Sequence, residues 1–122
     1  MIDHNPTLEE LRDYAKENPD KVFDLDSSTE CLAAQYADTP MFGFQRIGDL
    51  YRVPKEFSDF TATFVWTTQS SVPYNIHGYP TGRSLASAID KLILGRDPSL
   101  VALELVQEKL ACTLSGPISQ PA

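Results

Sequence analysis

Two cysteines, two histidines and seventeen carboxylates are the side chains of this 122-residue chain that could carry chemistry. Cys31 stands near an expected helix start, where a thiol pKa can fall, and His77 is the base that nucleophilic catalysis would require. Glu30, next in the chain, opposes a thiolate, and Cys31 itself falls on an apolar helical stripe. A thiol-dependent enzyme is therefore the weakest reading. Asp24, Asp26 and Glu30 could present oxygens to a divalent cation, but an Asp-x-Asp spacing fits a solvated acidic edge better. Structural metal sites use four Cys or His ligands in close pairs, and here two of each stand isolated. Phosphate-binding glycine loops, nucleophile elbows and helical histidine pairs are absent from the sequence. The expectation is no catalytic residue, no metal and no cofactor.

A second group suggests recognition. Trp66, Tyr74, His77, Tyr79 and Arg83 lie in or beside TTQSSVPYNIHGYPT, residues 67–81, which reads as a long loop, or as a strand and a loop. Aromatic and arginine side chains are enriched at interaction hot spots, and long irregular segments often carry function. Equally, Tyr74, Ile76 and Tyr79 could pin the crossing to the core.

Charge is distributed unevenly. Residues 1–60 hold 13 Asp and Glu against 6 Lys and Arg, residues 61–122 hold 4 of each, and the formal charge of −7 thus belongs to the first half. Such a surface repels nucleic acid and anionic membranes and attracts basic proteins. It also keeps a protein soluble, which is the plainer explanation. Neither a run of about eighteen apolar residues nor the basic and apolar parts of a secretory signal occurs in the sequence, so a cytoplasmic location is expected. There, Cys31 and Cys112 are expected as buried, reduced thiols.

The elements that must position these groups follow from periodicity and stop signals. Hydrophobic residues at 42% and charged ones at 22% suit one globular domain over residues 1–122, with flexible ends at 1–6 and 116–122. Thr7 and Glu10 form a capping box for a helix over about Leu8 to Glu17, stopped by Asn18 and Pro19. Ser27 and Glu30 repeat that pattern before Cys31, Leu32 and Tyr36, and Pro40 closes the second helix. Asp24 and Asp26 flank Leu25 in a short strand or extended lead-in. The stretch MFGFQRIGDLYRVP predicts an antiparallel hairpin with Gly48 and Asp49 in its turn. Pro54 opens a third helix carrying Phe57, Phe60 and Phe64, but TATFVWTT favours strands, leaving 63–77 open between helix, strand and loop. Thr81 or Ser84 starts a fourth helix that ends at Gly95. Asp97 and Pro98 start a fifth with a wide apolar face, forming a helical hairpin with the fourth. The fold class is α+β: a mostly helical single domain of about five helices with a small antiparallel β-hairpin.

Phe23-Asp24, then Cys31-Leu32-Ala33-x-x-Tyr36, a Phe-rich helix and the Leu85 to Leu92 helix together resemble small acidic proteins encoded by phages, prophages and other mobile elements. The resemblance covers about residues 7–93 and implies no particular activity. It implies a small accessory protein, a class that often binds a host protein. The expected function is accordingly a non-enzymatic protein-binding module. Its sharper form is a phage-type inhibitor whose acidic half occupies the basic surface of a host nucleic-acid-binding defence protein, as anti-CRISPR or anti-restriction proteins do. Asp24, Asp26, Glu30, Trp66, Tyr74, His77, Tyr79 and Arg83 are the expected contact residues, with no direct nucleic acid or membrane partner. The alternative is a self-associating structural or assembly protein that forms a homodimer through its C-terminal helices.

Overall fold

Thr7 begins the ordered architecture. Its Oγ1 accepts the Glu10 N–H at 3.1 Å while Glu10 Oε1 accepts the Thr7 N–H at 2.9 Å, so both halves of the capping box are present. Helix α1 runs Leu8–Glu17, as the spacing predicts. The computed structural model describes residues 2–71 and 79–115; the expectations for Tyr74, His77 and the 116–122 end lie outside them. Among the described residues, α1 is followed by α2 (Leu32–Ala37), β1 (Met41–Phe42), β2 (Arg46–Ile47), β3 (Tyr51–Arg52), α3 (Lys55–Ser71), α4 (Gly82–Ile93) and α5 (Pro98–Ser115). This is a mostly helical α+β arrangement.

Helix α2 begins later than its capping signal. Ser27 Oγ does accept the N–H groups of Thr29 and Glu30, at 3.2 and 3.0 Å, but these bonds close a turn. Cys31 is the N-cap, with no side-chain capping bond, and the helix starts at Leu32. The shift lets Leu32, Ala33, Ala34 and Ala37 all reach the core, and that burial outweighs the local cap. Ahead of it, Asp24 Oδ1 accepts the Asp26 N–H at 3.0 Å. With the Ser27 N–H also reaching the Asp24 carbonyl oxygen at 3.0 Å, Asp24 to Ser27 form a turn in place of the expected short strand or extended lead-in. Just ahead of it, Val22 and Thr81 form one isolated bridge.

The expected two-stranded hairpin is a three-stranded antiparallel meander of two-residue strands. Met41 pairs with Ile47, and Ile47 with Tyr51. The additional turn is made by Gly43 and Phe44, both at positive φ (65° and 67°), a conformation that comes readily to glycine but costs phenylalanine energy. Arg46 and Arg52 face each other across β2 and β3, an unfavourable like-charge pairing. Arg46 lies over the Phe42 ring at 5.4 Å. The backbone N–H of Arg52 is taken by Asn5 Oδ1 at 2.9 Å, so the N-terminal arm covers that sheet edge.

Helix α3 continues to Ser71, which corrects the expected loop from Thr67. Phe57, Phe60, Phe64 and Thr68 recur on its buried face. Thr68 gives its hydroxyl back to the Phe64 and Val65 carbonyls, each at 3.0 Å. Burial of this stripe overrides the strand preference of its threonines, valine and tryptophan.

The core is assembled from crossed pairs. Helix α4 packs chiefly on α1, and α5 chiefly on α3, so the short α4–α5 link joins two helices whose main partners lie elsewhere. The α1–α4 contact depends on Gly82. A Cβ there would stand 2.0 Å from the Asn18 carbonyl oxygen and 2.5 Å from that of Ala15. Around it, Phe23 N–H reaches Pro80 O at 2.9 Å, Gly82 N–H reaches Lys21 O at 2.9 Å, and Arg83 N–H reaches Pro19 O at 3.0 Å. Arg12 bridges to Asp90 at 3.0 Å on the same interface. No helix among the described residues is long and apolar enough to cross a membrane.

Candidate functional site

The clamp between residues 19–23 and 80–83 fixes one wall of a surface groove. Phe23 is fully buried beneath it, so Lys21, Val22 and Asp24 come to the surface on either side. Together with Glu30, Gln35 and Tyr79 these residues line a groove of about 460 Å³. A second groove of about 370 Å³ is lined by Tyr14, Thr29, Glu30, Ala34, Gln35, Asp38, Thr39 and Pro40. Glu30 and Gln35 line both, so the two grooves adjoin at α2; together they are termed the acidic channel. Gln35 is held by its Nε2 donating to the Glu30 carbonyl at 2.7 Å. Asp38 is placed by the end of α2, where it takes the left-handed conformation (φ 56°) as C-cap, one that aspartate tolerates better than most residues.

The structure thus brings Asp24, Glu30 and Tyr79 together and adds Asp38. Among the described residues, none of the three carboxylates is in an ion pair, and Lys21 is the single cationic residue of the channel lining. Sequence reasoning missed Asp38, Gln35 and Lys21. A usable signal for Asp38 was its place just before Thr39-Pro40, where a helix must end.

The other expected contact residues lie elsewhere. Asp26 lines a smaller cavity with Leu25, Cys31 and Phe57. Trp66 stands 64% exposed on α3. Arg83 pairs with Asp20 at 3.3 Å. The loop cluster expected from the sequence is therefore divided among separate surroundings, with Tyr74 and His77 outside the described residues.

Cys31 is buried and unbridged, and Cys112 falls within α5, its side chain outside the description. Burial pushes the Cys31 thiol up, against the opposing pull of the Ala34, Cys31 and Ala33 amides, with the charge of Asp24 adding to the rise. That is the reverse of what an activated nucleophile requires. Among the described residues, no three His, Cys, Asp or Glu side chains gather in a way that could hold a metal ion. Compared with known proteins, the chain matches no family model, no curated protein and no solved structure.

Proposed function

We propose that this protein is a non-catalytic binding module that takes an arginine- or lysine-rich segment of another protein into the acidic channel along α2. The observation that carries the reading is the adjoining of two grooves that share Glu30 and Gln35, with Asp24 lining one and Asp38 the other. Carboxylates spaced along a channel accept guanidinium groups in bidentate fashion and steer a basic partner toward the site. Resemblance to mobile-element proteins makes a host protein the partner of choice, in the sharper form a nucleic-acid-binding defence protein inhibited in the manner of anti-CRISPR or anti-restriction proteins.

The test is fluorescence anisotropy with a labelled oligo-arginine peptide at low and raised salt, alongside capture of host proteins from a bacterial lysate. Binding should weaken with salt, and the triple change Asp24→Lys, Glu30→Lys, Asp38→Lys should abolish it while leaving the circular dichroism spectrum intact. Unchanged affinity in that variant would overturn the reading.

A second reading, self-association, is favoured by one observation. Leu94 and Leu100 stand 80% and 57% exposed at the α4–α5 link and the start of α5, with Leu103 one turn further on also exposed. If these residues join two copies, sedimentation should show a concentration-dependent dimer that Leu103→Glu weakens; a monomer at all concentrations would dismiss it.

A further inference from the structure

The smaller cavity differs in kind from the acidic channel. It has a volume of about 140 Å³ and lies between the 25–31 segment, the β1 turn and α3. Leu25, Cys31, Met41, Phe57 and Thr61 form its buried wall, whereas Asp26, Ser28 and Gly43 at its edge are exposed. An apolar cavity of about 150 Å³ is large enough to admit a benzene ring. One residue of the wall, Thr61, keeps its polar atom turned away from the cavity. Thr61 is only 4% exposed, and its Oγ1 has no hydrogen-bond partner among the described residues. Thr68, two turns along the same helix, satisfies its hydroxyl on carbonyl oxygens. A buried hydroxyl left unpaired costs stability, and a ligand that pairs with it recovers that cost on binding.

We propose that this cavity binds a compact six-membered ring bearing a single hydroxyl, with phenol as the simplest example. The ring fills the space against Leu25, Met41 and Phe57, and its hydroxyl pairs with Thr61. Thr61 Oγ1 is closed to a water-sized sphere in the empty cavity, so binding includes a turn of the Thr61 side chain from one staggered position to another, bringing the oxygen onto the wall. The exposed edge is the route of entry. This site is independent of the carboxylates of the acidic channel.

Cys31 is a built-in reporter because its thiol belongs to the wall. In the full chain carrying Cys112→Ser, modification of Cys31 by methyl methanethiosulfonate is followed by intact mass spectrometry, with phenol or benzene as competitor. Amide spectra are recorded in parallel. Millimolar phenol should slow the modification several-fold and shift amides confined to residues 25–31, 41–44 and 57–61. Thr61→Val should weaken phenol about tenfold, the effect of one hydrogen bond, and leave benzene unchanged. No protection and no localised shifts with phenol, a cavity holding ordered water only, would overturn the proposal. So would phenol binding that Thr61→Val leaves intact.

Discussion

Replacing Gly82 by alanine sets two effects against each other, and the structure decides between them. On helix propensity alone, alanine is better than glycine by up to about 1 kcal/mol. Gly82 has ordinary backbone angles, so no conformational strain opposes the change. Space does. The new Cβ would stand 2.0 Å from the Asn18 carbonyl oxygen and 2.5 Å from that of Ala15, and both are backbone atoms that cannot swing aside as a side chain does. Restoring contact distance requires α1 and α4 to part by roughly 1 Å, on the scale of van der Waals separations. Three backbone hydrogen bonds of 2.9 to 3.0 Å cross this junction, each contributing about 1 kcal/mol, and overpacking adds about 1–3 kcal/mol. The net expectation is a loss of about 3–5 kcal/mol, a large part of a domain's stability. Urea denaturation followed by far-ultraviolet circular dichroism measures it, with Gly95→Ala as control. Gly95 has φ +88° and open space around it, so alanine there costs only the left-handed strain of about 1–2 kcal/mol. A midpoint for Gly82→Ala equal to or above that of the unchanged protein would refute the reasoning.

Two further outcomes follow from single groups. Thr61→Val removes a buried hydroxyl that has no partner among the described residues and keeps the branched shape, so the urea midpoint should rise by the equivalent of about 1 kcal/mol; a fall would mean that the hydroxyl is satisfied in solution. The His4 imidazole lies 2.6 Å from Asp3 Oδ1 and 2.8 Å from Glu10 Oε2, and these bonds, that to Asp3 first, raise its pKa above the ordinary 6.5. Because the folded protein holds the proton more tightly, the associated stability is complete below pH 6.5 and is lost as pH rises through the folded pKa. His4→Gln should flatten stability above pH 6.5, and a titration of the His4 ring by nuclear magnetic resonance with a midpoint at or below 6.5 would refute the assignment.

The sequence by itself determined the elements whose signals are local. The Thr7–Glu10 capping box and Asp97-Pro98 each act within one helical turn, and Pro19 and Gly95 stop helices whatever surrounds them, so α1 and α5 begin, and α1 and α4 end, where their residues say. For the start of α4 the sequence offered Thr81 or Ser84, and the structure takes Thr81. The accumulation of acid in residues 1–60 was equally legible. Tertiary structure decided the rest. The capping signal at Ser27 and Glu30 was spent on a turn, because burying Leu32, Ala33, Ala34 and Ala37 is worth more than one surface hydrogen bond. Helix α3 persisted through strand-favouring residues because Phe64 and Thr68 meet the core at helical spacing. Asp24, Glu30 and Asp38 share a channel only because the chain reverses around α2, and the expected loop cluster was divided because Trp66 and Arg83 belong to different helices. Caps and breakers act over a few residues, whereas burial and the meeting of distant carboxylates depend on which surfaces the packed helices leave open.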